Sequence, residues 1–376
     1  MTEVFVGNQS LTVIGGGLVG AAIAYGAVRS GIHVRVLDQG DTAFRASRGN
    51  FGLVWVQSKG HKLPRYARWS RDAVTRWPAL QQELLQLTGV DAGLQQPGGF
   101  WLGFSDAEMK ARCALLENVN QHGGEVPFEI MNRSKLVQYL PGIGQAVVGG
   151  SFCPMDGHAN PLMLLRALHA GIICRGSEVI SGVEVARIRF DSEKQEFETF
   201  SGDGRSWKST RIVLAAGLGN ARLAPQLGLN APVFPTRGQV LITERLKPFL
   251  RYPMNKLRQT LEGSVQVGST SEDVGFNDGT STERIEWLAR RAVTTFPALA
   301  YARLVRAWGA LRPLTPDGYP IYQESSSCPG AFIATSHSGV SLASVHCFVI
   351  GAWMSGMAER PPDFGVFNGD RFANSK

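Results

Sequence analysis

Two short apolar runs flank a helical pattern near the start of the chain. Leu11–Ile14 and Val34–Leu37 have the length and composition of buried strands, and Ala21–Ser30 between them has the character of a helix. The glycine-rich turn GGGLVG joins the first run to the helix, and Asp38 follows the second run. This order of strand, glycine turn, helix, strand and acid predicts a βαβ unit that binds a dinucleotide.

The glycines of this turn have separate physical roles in such a unit. Gly15 permits the tight turn, Gly17 lets the backbone approach a pyrophosphate, and Gly20 lets the helix pack closely on the strand. The helix N-terminus presents free amides and a partial positive charge to the phosphates. The carboxylate of Asp38 is placed to accept hydrogen bonds from ribose hydroxyls. The residues predicted to contact the cofactor here are Gly15, Gly17, Leu18, Val19, Gly20, Asp38 and Gln39.

Helical and strand patterns continue to alternate along the rest of the chain. The predicted helices are Leu63–Leu87 (interrupted at Trp77–Pro78), Asp106–Gln121, Arg133–Leu140, Leu162–Ala170, Thr282–Phe296 and a last helix that opens at Ser336–Leu342 and runs through Met354. The predicted strands are Phe100–Phe104, Phe128–Met131, Val147–Phe152, Val183–Phe190, Ile212–Gly217, Gln239–Thr243, Ser264–Gly268 and Ala331–Thr335. The proline- and glycine-rich segment Gly309–Gly318 predicts a loop.

This order of elements predicts an α/β (α+β) protein of two domains, because 376 residues are long for a single core. We expect a Rossmann-like nucleotide-binding domain that the chain leaves and re-enters, and a substrate domain built on a mixed sheet. The predicted nucleotide domain is discontinuous and comprises residues 1–90, 146–225 and 306–376. The predicted substrate domain comprises residues 91–145 and 226–305.

The net charge of +7 is concentrated in one segment, where eight basic residues accompany a single acid between Ala43 and Arg76. A solvated basic helix face is the simpler interpretation, and a docking surface or a field that attracts an anionic substrate are the alternatives. Nucleic acid is disfavoured, because no recognition module accompanies the charge. The five cysteines are scattered without zinc-ligand spacing, which predicts a reducing compartment and no metal site. We expect no signal peptide and no membrane span, and we expect a cytoplasmic location.

The segment Ala46–Val56 carries a hydroxyl, a cation, an amide and two glycines within seven positions. Such a composition suits contacts to phosphates through side chains and backbone, and a plain connection between strands is the alternative. The residues predicted to contact the cofactor here are Ser47, Arg48, Gly49, Asn50, Gly52 and Leu53.

Six motifs along the chain, taken together, resemble one family. GGGLVG, ASRGNFG, VLAAG, PTRGQ, LRPLTPDG and SHSGVSLA occur in the order typical of the D-amino-acid oxidase superfamily of FAD enzymes. Within it, ASRGNFGLVWVQ with Lys59 close behind looks most like the β subunits of bacterial opine oxidases, which act on octopine or nopaline. The β subunits of D-hydroxyproline dehydrogenases and the hydrogen cyanide synthase flavoprotein look similar.

The resemblance implies FAD with its ADP half on the first βαβ unit. Val185 then meets the adenine through its backbone, and Ala216 and Gly217 pack on the cofactor. The resemblance also places Gly339, Val340, Ser341 and Leu342 at a helix N-terminus near the flavin pyrimidine, where amides would stabilise reduced flavin. Some relatives attach flavin through a cysteine near LRPLTPDG, and this chain has none there, so non-covalent FAD is expected.

The implied reaction is hydride transfer to flavin from the carbon beside a secondary amine, followed by hydrolysis of the imine. Arg312 is the expected clamp for the substrate carboxylate and also a cofactor contact, with a structural role beneath the flavin as the alternative. Lys256 and Arg258 are candidates for further carboxylates, or else exposed strand cations. His337 is expected beside the flavin, or as a packed support.

The resemblance also implies partner chains. We expect an α subunit and an electron carrier, and the relatives leave open a small iron–sulfur γ subunit, an FMN at a subunit interface, and peripheral attachment to the inner membrane. For the reaction, cleavage of an opine to arginine and a 2-oxo acid is the leading interpretation. D-hydroxyproline, or another secondary amine or D-amino acid, is the nearest alternative substrate. An NAD-dependent dehydrogenase and a non-catalytic flavin-bearing chain are more remote.

Overall fold

The computed structural model of the protein describes residues 10–40 and 46–373. The helices are α1 Leu18–Arg29, α2 Pro64–Thr88, α3 Asp106–Gln121, α4 Arg133–Tyr139, α5 Pro161–Cys174, α6 Asn220–Leu223, α7 Thr282–Thr295, α8 Ala343–Val345 and α9 Gly351–Met354. The strands are β1 Ser10–Ile14, β2 His33–Asp38, β3 Leu53–Val54, β4 Gly99–Gly103, β5 Glu129–Asn132, β6 Gly149–Cys153, β7 Gly157–His158, β8 Glu178–Ser181, β9 Val185–Asp191, β10 Glu196–Ser201, β11 Ser206–Ser209, β12 Arg211–Leu214, β13 Phe234–Arg245, β14 Leu257–Gln259, β15 Ser264–Gly268, β16 Leu304–Leu314, β17 Ile321–Glu324 and β18 Ala331–Thr335.

A six-stranded sheet in the order β17-β18-β12-β1-β2-β8 forms the centre of the first region. Its pairings are parallel except that of β17 with β18. Helix α1 contacts α5 and α9 and is buried along most of its length, since its sequence is apolar on nearly every face. A parallel sheet of this kind places the carboxyl ends of β1, β2 and β12 along one edge, where a ligand site is expected.

The other face of this sheet is covered by a three-stranded antiparallel meander, β9-β10-β11. Val185, Ile188 and Phe197 of the meander share an apolar cluster with Ile14 and Ile212 of the sheet. The central sheet is therefore buried on both faces, which explains why its strands read as continuous apolar runs rather than alternating ones.

A second region contains a four-stranded antiparallel sheet, β14-β15-β13-β16, and a three-stranded sheet, β4-β6-β5. Phe100, Met131, Leu136, Leu241 and Leu288 belong to one apolar cluster that joins both sheets to α4 and α7. This second core is separate from the two apolar clusters that pack against the central sheet, so the described residues pack around more than one centre.

Strand pairing differs from the predicted domain boundaries at two places. Gly149–Cys153 pairs with β4 and β5, and Leu304–Leu314 pairs along β13, so both strands belong to sheets of the second region. The segment Gly309–Gly318, predicted to be a loop, is a strand as far as Leu314. Its backbone hydrogen bonds to β13 override the turn tendency of its proline and glycine.

The predicted interruption at Trp77–Pro78 is also wrong, because α2 continues through Pro78. A proline inside a helix removes one N–H donor and leaves the carbonyl four residues earlier without its partner. Here that carbonyl belongs to Val74, and it accepts a hydrogen bond of 3.1 Å from the side-chain amide of Gln96. A side chain from the following segment thus supplies the donor that Pro78 lacks.

Candidate functional site

A cavity of about 600 Å³ lies at the carboxyl ends of β1, β2 and β12. Gly15, Gly17 and Asp38 of the βαβ unit line it, as do Ala216 and Gly217 after β12. The first helix begins beside this cavity with Gly17 as its N-cap, and a glycine has no side chain with which to cap the first amides. Those amides suit a phosphate group, as the sequence predicts.

Glycine is required at three positions of the turn because other atoms of the protein lie too close to allow a side chain there. A Cβ on Gly15 would lie 2.4 Å from the carbonyl oxygen of Ala215, and one on Gly20 would lie 1.9 Å from the carbonyl oxygen of Gly15. A Cβ on Gly17 would lie 2.8 Å from Oγ of Ser47. The first two glycines let α1 and β12 meet the turn, and the third leaves room for the segment that closes the cavity.

Asp38 holds the turn together from the end of β2. Its Oδ2 accepts a hydrogen bond of 2.6 Å from the amide of Gly16, and its Oδ1 accepts one of 2.9 Å from the amide of Gly40. The carboxylate also lines the cavity, so it is in place to accept from ribose hydroxyls there.

The segment that begins at Ala46 closes the cavity from a second side. Ser47 and Arg48 line it, and Oγ of Ser47 accepts a hydrogen bond of 2.9 Å from the amide of Leu18 at the start of α1. Oδ1 of Asn50 accepts from the amide of Gly52 at 2.8 Å, which forms a tight turn before β3. This placement is compatible with the phosphate contacts predicted for the segment, which stay a prediction.

A smaller cavity of about 200 Å³ adjoins the larger one and lies against the second region. The two cavities share four lining residues, which are Ala46, Asn50, Arg312 and His337. Phe51, Leu53, Trp55, Val240 and Val340 give the smaller cavity apolar walls. A ligand there would lie between the two regions of the protein and next to whatever occupies the larger cavity.

Arg312 lies on β16, where the two cavities meet. Its Nη2 donates a hydrogen bond of 2.8 Å to the carbonyl of Thr270, and its Nε has no hydrogen-bond partner among the described residues. Burial lowers the pKa of the guanidinium, and Glu272 partly offsets this, but the group stays charged at neutral pH. Arg312 is thus a half-buried cation with donor capacity left for a carboxylate.

His337 lines both cavities and is uncharged at neutral pH. Burial, together with the positive charges of Lys59 and Arg312, lowers its pKa to about 3. A neutral imidazole cannot pair with a carboxylate as a cation, so His337 adds no positive charge for the substrate.

The structure places the other two predicted catalytic cations outside both cavity linings. Nζ of Lys256 donates to the carbonyl of Ser269 at 2.5 Å. Arg258 is buried, its Nε donates to the carbonyl of Phe51, and its Nη1 lies 3.2 Å from Nδ1 of His158. Arg258 therefore supports the backbone behind the site, and Lys256 supports the loop that carries Ser269.

Most of the predicted cofactor residues are brought together. The larger cavity is lined by Gly15, Gly17, Leu18, Val19, Asp38, Gln39, Ser47, Arg48, Asn50, Val185, Ala216, Gly217, Arg312 and Gly339, and the smaller one also by Gly49, Leu53, Val340 and Ser341. Gly20, Gly52 and Leu342 line neither cavity. Gly20 and Gly52 permit close packing behind the wall, and Leu342 is buried in the core around α1.

The predicted helix N-terminus at Gly339–Leu342 is also corrected, because α8 begins only at Ala343. The preceding residues form turns that are tied to other segments. Oγ of Ser341 accepts from the amide of Trp55 and donates to the carbonyl of Leu53, both at 3.1 Å. The carbonyl of Val340 accepts from the indole of Trp77 at 2.9 Å.

Lys59 is the main functional candidate to which the sequence assigns no role. It lines the smaller cavity, and burial lowers its pKa to about 8. Asn255, Ser269 and Ser338 are further polar lining residues without a role in the sequence analysis. The signal for Lys59 is its position just after the ASRGNFG segment, but a single lysine in a loop has no distinctive pattern.

Four arginines of the basic segment lie on α2 and make structural contacts. Arg65 donates to the carbonyl of Pro362, Arg68 to that of Gly123, and Arg71 pairs with Glu125 at 2.6 Å. Arg76 pairs with Asp72 one turn away on α2. These contacts favour the simpler interpretation of a solvated helix face, with the arginines fastening α2 to its neighbours.

Comparison with known proteins indicates which dinucleotide the protein uses. A family model described as FAD dependent oxidoreductase (DAO) matches residues 10–353. The chain belongs to this family. FAD is therefore its cofactor, and the NAD-dependent alternative is excluded.

Relatives and solved structures agree with this family over nearly the whole chain. The B subunit of opine oxidase from Rhizobium meliloti is 40% identical over 365 residues, which cover 96% of this chain and 97% of the relative. The protein of the same name from Agrobacterium tumefaciens (strain Ach5) is 40% identical over 369 residues, with the same coverage. The crystal structure of glycine oxidase from Geobacillus kaustophilus matches with a TM-score of 0.88 at 24% identity, covering 96% of this chain and 98% of that one. The predicted fold class is confirmed.

The described residues fit FAD in this family. The start of α1, where the N-cap Gly17 has no capping side chain, is complementary to a pyrophosphate. The carboxylate of Asp38 is complementary to ribose hydroxyls, and the partnerless Nε of Arg312 to an anionic or carbonyl oxygen. No cysteine of the described segments lines either cavity, and non-covalent binding stays a prediction.

Residues 10–40 and 46–373 contain neither a membrane-spanning helix nor a metal cluster. None of the helices there has both the length and the apolar composition needed to cross a membrane. Within the same segments, His, Cys, Asp and Glu side chains do not gather in groups of three that would suit a metal ion.

Proposed function

We propose that this protein oxidises an opine, a secondary amine that joins two carboxylated carbon units, to an amino acid and a 2-oxo acid. The observation that carries the proposal is Arg312, a charged guanidinium with unused donors at the junction of the FAD cavity and a smaller cavity between the two regions. The 40% identity to the B subunits of two opine oxidases supports this choice of substrate class.

Each part of the smaller cavity has a task in this reaction. Arg312 binds a substrate carboxylate, and a forked guanidinium fixes its orientation as well as its position. The apolar walls formed by Phe51, Trp55 and Val240 exclude water from the carbon that reacts. FAD, when bound, supplies the acceptor for the hydride that leaves this carbon.

The neutral His337 and the fixed loop around Ser341 keep the geometry rather than exchange protons. Ser341 ties the turn before α8 to the β3 segment, so the two walls of the smaller cavity cannot drift apart independently. The protein thus acts mainly by orientation, and the redox chemistry belongs to the cofactor.

We also propose that the chain works as the β subunit of a hetero-oligomer. The support is that its two relatives are named as the B subunits of opine oxidases, which implies a partner chain in those proteins. An α subunit, a small iron–sulfur γ subunit, an FMN at an interface and an external electron carrier remain parts of this proposal, as does a cytoplasmic location.

Anaerobic bleaching of the flavin absorbance tests the proposed substrate. The FAD-loaded chain, alone and with the partners that co-purify on a tag attached to it, is mixed with octopine, nopaline, D-hydroxyproline or glycine. We expect bleaching by at least one opine at concentrations where D-hydroxyproline and glycine leave the spectrum unchanged. Bleaching by D-hydroxyproline alone would transfer the assignment to that substrate, and no bleaching with or without partners would indicate a non-catalytic chain.

A further inference from the structure

We propose that Lys59 binds a second substrate carboxylate, so that the smaller cavity selects secondary amines that carry a carboxylate on each side of the nitrogen. The inference deepens the proposed function and rests on it for the identity of the reaction. It assigns a specificity-determining residue where the sequence had pointed to Lys256 and Arg258.

Lys59 is held in place by a hydroxyl and an aromatic ring. Its Nζ donates a hydrogen bond of 2.8 Å to Oγ of Ser338 and lies 5.9 Å from the centre of the Tyr66 ring. The hydroxyl of Tyr66 donates to the same Oγ at 2.8 Å. An ammonium has three donors, so this arrangement aims the group while leaving donor capacity for a ligand.

The ammonium has no close anionic partner within the protein. No carboxylate of residues 10–40 or 46–373 lies within 4.0 Å of its Nζ. Asp156 acts on it only from a greater distance, and Oδ1 of Asp156 accepts from the amide of Val56 at 2.5 Å. A cation removed from water without a partner is costly, so the site is poised for an anion that enters the cavity.

The charge of the smaller cavity matches a dicarboxylate. Arg312 and Lys59 both line it, and both positive charges act on the neutral His337. No aspartate or glutamate is among the described residues that line this cavity. A monocarboxylate would neutralise one of the two cations and leave the other partly desolvated, whereas a dicarboxylate neutralises both.

The other nearby cations do not compete for this role. Lys256 donates to the carbonyl of Ser269, and Arg258 is bound to the carbonyl of Phe51, outside the lining. A different role for Lys59 is acceptance of a proton from the substrate ammonium, and the experiment below separates that role from carboxylate binding.

The test uses two thioethers in which sulfur replaces the amine nitrogen, so that neither undergoes the amine oxidation. Thiodiacetate carries a carboxylate on each side of the sulfur, and (methylthio)acetate carries one. Binding to the FAD-loaded protein is followed by the change in flavin absorbance. Lys59→Met removes the charge, and Lys62→Met removes an exposed charge from the same loop as the matched control.

We expect thiodiacetate to bind the unmodified protein more tightly than (methylthio)acetate. Lys59→Met is expected to lower the affinity for thiodiacetate by roughly tenfold to a hundredfold, which corresponds to the loss of one hydrogen bond to a charged group. The same variant should change the affinity for (methylthio)acetate by less than about threefold, and Lys62→Met should leave the affinity for both ligands unchanged. If the ratio of the two ligand affinities is unchanged in Lys59→Met, the proposal is overturned. A variant that keeps this ratio but reduces flavin more slowly with an amine substrate would instead support the proton-accepting role.

A pH titration gives a second readout that does not depend on how well the methionine variant folds. Thiodiacetate affinity should fall as the pH rises past about 8, where Lys59 loses its proton. Lys59→Arg keeps the charge at this pH, so its affinity should decline less there than that of the unmodified protein. The same decline in both proteins would contradict the proposal. Since the thioethers need no turnover, a dicarboxylate preference without bleaching by any opine would refute the proposed function alone.

Discussion

The role of Arg312 can be tested by comparing Arg312→Met with Arg312→Lys. Methionine fills similar space but removes the charge and leaves the carbonyl of Thr270 without its 2.8 Å donor. Lysine keeps the charge but loses the fork that binds two carboxylate oxygens at once. The comparison therefore separates charge from geometry at the junction of the two cavities.

The expected loss follows from the environment of the guanidinium. Arg312 is half-buried, with burial the main cause of its lowered pKa, so its attraction to a carboxylate is only weakly screened by water. Removing one partner of such a pair costs about 2–5 kcal/mol, or about 30-fold to 4000-fold in kcat/KM. We expect the loss in Arg312→Met to lie in this range, and the loss in Arg312→Lys to be about half as large when expressed as a free energy.

Anaerobic stopped-flow reduction of the flavin measures this loss, and the ratio of FAD to protein shows whether the cofactor is retained. Arg303→Met, which removes an exposed arginine just before the same strand, is the matched control. Unchanged substrate affinity in Arg312→Met, together with a fall in FAD content, would refute the carboxylate role and favour a structural arginine beneath the flavin.

Three further predictions follow from contacts elsewhere. Asp38→Ala removes the acceptor for the amides of Gly16 and Gly40, and we expect FAD affinity to fall at least tenfold, measured by flavin fluorescence on dilution. Full retention of FAD would contradict the assignment. Gln96→Ala should lower the free energy of unfolding, measured with denaturant, by about 1–3 kcal/mol. The loss should be clearly smaller in a Pro78→Ala background, because the Val74 carbonyl regains a backbone donor there; equal losses in both backgrounds would show that the two residues are not coupled. Arg112→Met removes hydrogen bonds to Gln57 and two serines, so we expect about 3 kcal/mol lower stability in the same assay, and a change below about 0.5 kcal/mol would contradict that role.

Local patterns determined the nucleotide half of the protein. The strand, turn and helix from β1 to Asp38 follow from the local pattern, and the nearby carbonyl of Gly15 excludes a side chain at Gly20. Helix α3 and strands β15 and β18 have the bounds that the sequence predicts, because caps and apolar runs mark their ends. The motifs along the chain were enough to indicate the family and its cofactor.

The substrate side depended on contacts between segments far apart in the chain. The sequence analysis assigns a role to Lys256 and none to Lys59, because a single cation has no pattern that shows which way it faces. Only the tertiary packing places Lys59 in the cavity lining and turns Lys256 to the carbonyl of Ser269. Arg312 lies on a strand because β13 pairs with it, against the local preference of its prolines. Sequence periodicity records which side of an element is apolar, but not which distant element will cover it, and that choice builds the second cavity.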